Sequence, residues 1–105
     1  MKFDDVCTLA LALGDVEEST SYGTPALKLR GNLMIRLRED GDVVFIVGFD
    51  NRDLLMQMKP ETFYTTAHYA GYPSVLARLG KITKAQLRDV VRMAWEQAAT
   101  KKRKR

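Results

Sequence analysis

The sequence predicts an α+β fold: an antiparallel sheet of about five to six strands packed with helices, in the order α-β(3-4)-α-β(2)-α. Three observations carry this. Apolar residues recur at helical spacing near both ends and once in the middle, and between these stretches they alternate. The strand-like runs follow one another through short Gly- and Asp-containing turns, as antiparallel neighbours do. A chain of 105 residues that is 46% hydrophobic makes one domain with a real core. The predicted boundaries are a single domain over 1–99 and a basic, disordered tail over 100–105.

Phe3, Val6, Ala10 and Leu13 form one apolar stripe of a first helix. Asp4 and Asp5 suit its N-terminal end and Gly14 its stop. Cys7 lies beside Val6 and reads as a packed thiol, with no basic neighbour to activate it. Residues 17–21 are polar and fit an edge strand, and Gly23-Thr24-Pro25 breaks the chain. Residues 26–30 and 33–38 alternate, with Leu27 and Leu29, then Leu33, Ile35 and Leu37, on one face. A three-residue loop, Arg30-Gly31-Asn32, pairs Leu29 with Leu33 and Leu27 with Ile35 and so keeps that face apolar.

Asp40-Gly41 signals the next hairpin, into residues 43–48. Pairing Leu37 with Val44 sets Ile35 opposite Ile46. The other face then carries Met34, Arg36 and Arg38 beside Val43, Phe45 and Val47, half apolar and half basic. Asp50 or Asn51 caps a short helix with Leu54, Leu55 and Met58 inward, ended by Pro60. Residues 63–69 and 74–79 are two further strands around Gly71-Tyr72-Pro73. Thr83 and Gln86 make a capping box for a last helix, whose stripe is Leu87, Val90, Val91, Ala94, Trp95 and Ala98.

Residues 62–79, TFYTTAHYAGYPSVLARL, gather three of four tyrosines and the single histidine. Together with FDDV at 3–6, VEESTSYGTPALKLRG at 16–31, RLREDGD at 36–42 and Trp95, they make the chain resemble the MmcQ/YjbR-like family of small bacterial proteins. It departs from that pattern at Gly14-Asp15, where the family usually shows Pro-Gly, and at Ser74, where it often has Trp. The resemblance runs to about residue 98. It implies a sheet-and-helix fold akin to type III secretion chaperones and a DNA-binding role through paired hairpins. It brings no catalytic residues.

Net charge is +4, but the five-residue KKRKR end carries +5, and the other hundred residues hold 12 basic against 13 acidic side chains. The overall basicity therefore says little about the folded body. Local basic groups remain: Lys28, Arg30, Arg36 and Arg38 on the first hairpin, Lys84, Arg88 and Arg92 at i, i+4, i+8 on the last helix, and Lys101, Lys102 and Arg103 in the tail. Such groups neutralise phosphates without reading sequence.

No apolar run reaches membrane-spanning length, and MKFDDV is no signal peptide, so a cytoplasmic protein without a membrane partner is expected. One cysteine and one histidine give no metal-ligand spacing, and no cofactor motif is present. His68 is the one candidate for acid–base work. As a strand residue it would share a face with Tyr64 and Thr66, and its structural reading is a ring bonded to a carbonyl or hydroxyl. Tyr64, His68, Tyr69 and Tyr72 are the candidate ligand surface; as architecture they read as a fixed turn.

Three readings follow. A non-enzymatic, sequence-independent DNA-binding domain comes first. A protein-interaction module, self or chaperone-like, on the half-apolar face of Met34, Val43, Phe45 and Val47 comes second. A small-molecule binder or enzyme around His68 comes third.

Overall fold

The computed structural model describes residues 1–101. Three helices and six strands follow one another as α1 (Phe3–Leu11), β1 (Val16–Ser21), β2 (Thr24–Leu29), β3 (Asn32–Leu37), β4 (Val43–Ile46), α2 (Phe49–Met58), β5 (Phe63–Tyr64), β6 (Ser74–Ala77) and α3 (Lys84–Ala99). The strands make one antiparallel sheet in the order β1-β2-β3-β4-β6-β5. The α+β class and the order of elements are those the sequence predicts, with β1 at an edge.

α3 is the principal cover of the sheet. Its Thr83 hydroxyl accepts from the Gln86 amide, and Gln86 returns a carbonyl to the Thr83 amide, closing the expected capping box. Leu87, Val90, Val91, Ala94 and Ala98 are buried against Leu27, Leu29, Ile35, Val43 and Phe45. α1 adds Val6 and Ala10 to the same cluster. Trp95 is half-buried, and its indole Nε1 donates to the Gly14 carbonyl at 3.0 Å, tying α3 to the end of α1. Met34, Val43, Phe45 and Val47 all lie within this cluster. The half-apolar face assigned to them for a protein partner is therefore interior.

The reason is register. β1 and β2 join through Tyr22-Gly23, and β2 and β3 through Arg30-Gly31, two-residue turns with positive φ at both positions (54° and 79°; 51° and 82°). Positive φ at both central residues is the mark of the hairpin turn that matches strand twist. Thr24 and Pro25 consequently pair inside β2, opposite Ser21 and Thr20, and the chain break falls one residue earlier than expected. Across the second turn Leu29 pairs with Asn32 and Lys28 with Leu33; Leu27 then pairs with Ile35. Met34 is the extra residue of a β-bulge. The expected Leu27–Ile35 pair forms, but through a two-residue turn and a bulge rather than a three-residue loop.

β3 and β4 pair as Leu37–Val43, Arg36–Val44 and Ile35–Phe45, one residue away from the expected register. Directly paired residues share a face. One face thus holds Leu29, Leu27, Ile35, Leu37, Val43 and Phe45 under the helices. The opposite face holds Lys28, Leu33, Arg36, Val44, Ile46 and Ser74.

α2 differs in orientation from the expectation. Its cap is Gly48. Leu55 and Met56 pack on the core, whereas Phe49, Leu54 and Met58 are exposed. The predicted strand over 63–69 shrinks to two residues, and 65–73 is a loop. No helix of the described residues is long and apolar enough to cross a membrane.

A cleft on the helix-free face of the sheet

Arg36 organises the second face. It is a charged residue in mid-strand and only 7% exposed, so its guanidinium needs partners. Nε donates to the Ser21 carbonyl at 3.2 Å, Nη1 to the Tyr69 hydroxyl at 3.3 Å and Nη2 to Glu39 at 2.9 Å. The end of β1, the turn after β3 and the loop 65–73 thus meet on one side chain. Tyr22 lays its ring over the same group, 5.1 Å from Cζ. Tyr22 holds left-handed φ and is 87% exposed, an unusual place for a large ring.

The loop that brings Tyr69 is held from three sides. The Tyr69 amide donates to Thr66 and the Tyr72 amide to Tyr69, forming consecutive turns. Arg52 of α2 donates to the carbonyls of Ala70 and Tyr72 at 2.8 and 3.1 Å. The Pro73 carbonyl accepts from Val47 and Gly48 at the end of β4. Within the loop, His68 meets Tyr69 edge-on at 4.9 Å, and Tyr69 meets Tyr72 at 6.2 Å.

Between sheet and loop lies a cavity of about 540 Å³. Leu33, Val44, Ile46 and Ser74 form its floor, Arg36 and Glu39 one end, and Tyr22, His68, Tyr69 and Tyr72 the walls. The volume falls in the range of small-molecule sites, roughly 300–1,000 Å³, and so does the make-up of apolar lining with a few polar groups. Arg38 stands just outside, 5.9 Å from the Tyr69 ring and paired to Asp40 at 3.4 Å.

Of the candidate ligand surface, His68, Tyr69 and Tyr72 converge here, and Tyr64 does not. Tyr64 sits under the Arg78 guanidinium and donates its hydroxyl to Asp42. Burial, that bond and the Asp42 charge push its pKa up to about 12. His68 is exposed and makes no hydrogen bond among the described residues, so the ring bonded to a carbonyl or hydroxyl is corrected. It does not share a strand face with Tyr64 either, because the strand ends at Tyr64. The Cys7 thiol is pushed up by burial, then by Glu18 and Asp4, which fits a packed, unreactive thiol. No group of three potential metal ligands is assembled among the described residues.

The basic residues divide between two surfaces. Arg36 and Lys28 lie on the cleft face, and Arg30 in its turn pairs with Asp15 at 3.0 Å. Lys84, Arg88 and Arg92 are exposed on α3, across the sheet from Arg36. Lys101 is exposed, while Lys102 and Arg103 lie outside the described residues. Tyr22, Glu39, Val44 and Ile46 are cleft residues that the sequence did not single out. The one available signal was Arg36 itself, a lone cation between Ile35 and Leu37.

A family model for YjbR matches residues 11–97. The chain belongs to the YjbR family. Among curated proteins, this YjbR chain is 35% identical over 63 residues to uncharacterised proteins of Mycobacterium bovis and of two Mycobacterium tuberculosis strains. The match covers 58% of this chain and 49% of each relative, so the aligned part spans about half the length of those proteins. No solved structure matches the chain. The YjbR match covers every strand of the sheet and all the residues that line the cleft.

Proposed function

We propose that this YjbR-family chain is a non-catalytic binding domain whose site is the aromatic-walled cleft with Arg36 at one end. The observation that carries the reading is a buried, charged side chain at one end of a cavity lined by rings. A non-catalytic role is supported by His68, which among the described residues has neither an orienting partner nor a nucleophile within hydrogen-bond reach. Two-dimensional amide NMR with naphthalene-based probes, one neutral and one anionic, tests the reading. Shifts should concentrate on Leu33, Arg36, Val44, Tyr69 and Tyr72. Absence of localised shifts with both probes at millimolar concentration overturns it.

A second reading rests on a separate observation. Lys84, Arg88 and Arg92 are exposed in a row along α3, and none of them has an ion-pair partner among the described residues. In this reading α3 and the basic end contact DNA phosphates without sequence selection, in a cytoplasmic protein. Three phosphate contacts from α3 give a log–log salt slope of about −3. A duplex titration that shows no binding at low salt removes this reading, and binding lost with residues 101–105 alone assigns it to the tail.

A further inference from the structure

We infer that the cleft takes a flat aromatic carboxylate, whose acid group displaces Glu39 from Arg36; this rests on the cleft being the binding site. The structure already contains a carboxylate in that position. Glu39 reaches Arg36 through one oxygen at 2.9 Å, with the Arg36 side chain 9% exposed and the Glu39 side chain 70% exposed. The cation is fixed and sheltered, and its counter-ion is a solvated side chain in a surface turn. A ligand acid can replace such a partner without leaving the guanidinium unpaired.

The donor geometry agrees. A guanidinium has five N–H groups in a fixed fork. Arg36 spends one on Ser21, one on Tyr69 and one on Glu39, leaving one on each terminal nitrogen among the described residues. With Glu39 displaced, the Nη2 donor it held and the spare Nη1 donor are available to the two oxygens of a ligand carboxylate. The Tyr69 oxygen accepts from Arg36, so its own proton is available to a third acceptor. Arg38, paired to Asp40, lies over the Tyr69 ring at the mouth. Leu33, Val44 and Ile46 offer an apolar floor, and the Tyr69 and Tyr72 rings in the walls suit a planar aromatic body. An apolar body with one acid at one end matches the Arg36 donors, the Tyr69 hydroxyl and the apolar floor.

The experiment is calorimetric titration of the full chain with 2-naphthoate and with 2-naphthamide, which share a body and differ in charge. The expected result is naphthoate tighter by about tenfold, the scale of a charge-assisted bond. In Glu39→Gln, which removes the competing charge, the ratio of the two affinities should widen several-fold. Equal affinity of the two probes, or a ratio that stays fixed or narrows in Glu39→Gln, overturns the carboxylate inference and leaves the cleft as a site for neutral ligands. If neither probe binds, or if both bind and Tyr72→Ala leaves both affinities unchanged, the cleft itself is not the site. Tyr72 is 54% exposed and its side chain makes no hydrogen bond among the described residues, so that variant folds independently of the outcome.

Discussion

Replacing Arg36 with methionine tests the organisation of the cleft directly. Methionine keeps the stem of the side chain and removes the guanidinium. Three hydrogen bonds go with it, at 3.2, 3.3 and 2.9 Å. Bonds to a charged donor contribute roughly 1.5–3 kcal/mol each when sheltered. The first two are long for N–H···O contacts and belong at the low end. The third ends on a carboxylate 70% exposed, where an ion pair contributes about 0–1 kcal/mol. Offsetting these losses, methionine removes the cost of holding a charge out of water. The net expectation is a loss of about 2–3 kcal/mol. With a urea m-value of roughly 1–3 kcal/mol/M for a small protein, the midpoint falls by about 0.7–3 M. Urea unfolding followed by Trp95 fluorescence measures it. A midpoint unchanged or raised would refute the reasoning, because desolvating the guanidinium would then outweigh everything it ties together.

Tyr22→Asn places in the turn a residue that tolerates left-handed φ, and stability should rise by about 0.5–1 kcal/mol while the cleft loses a wall; thermal unfolding and the naphthoate titration together read both effects. Tyr64 carries a folded pKa near 12 against the usual 10, so its stabilising contribution is fully present below pH 10 and fades as pH rises through about 12. Tyr64→Phe should remove that alkaline component, which urea midpoints compared between the two proteins across this window will show. Thr83→Ala opens the α3 capping box and should cost about 1 kcal/mol, seen as a lower urea midpoint with unchanged m-value.

The helices were legible because their signals are local and repeated. Val90, Val91, Ala94 and Ala98 recur at one spacing, and Thr83 and Gln86 announce the start. Sheet pairing was harder, because a strand pattern fixes alternation but not phase. Strict alternation puts Leu33 with Ile35 and Leu37; the bulge at Met34 moves Leu33 to the opposite face, and no propensity marks it. The same one-residue uncertainty between Leu37 and its partner turned Phe45 and Val43 from core into surface. Residues 65–69 carry β-branched and aromatic side chains, yet the turn bonds at Thr66 and Tyr69, with Arg52 on the carbonyls of Ala70 and Tyr72 that follow, hold the segment as a loop. The aromatic cluster was visible in the sequence as a group. Its convergence with Tyr22, Arg36 and Glu39 was not, because those three come from hairpins whose register sets the face.

The Met34 bulge also has a consequence for how this chain can change length. β3 carries one residue more than its partner β2 between Leu33 and Ile35. That surplus is slack in the ladder. Loss of a single codon anywhere from 33 to 35 can be absorbed by regularising the pairing, and Arg36 still emerges on the cleft side opposite Ala26. A second loss has nothing to absorb it, and would turn the guanidinium toward the helices. The irregular step in β3 is thus a place in the central sheet where a deletion can be accommodated without exchanging inside and outside.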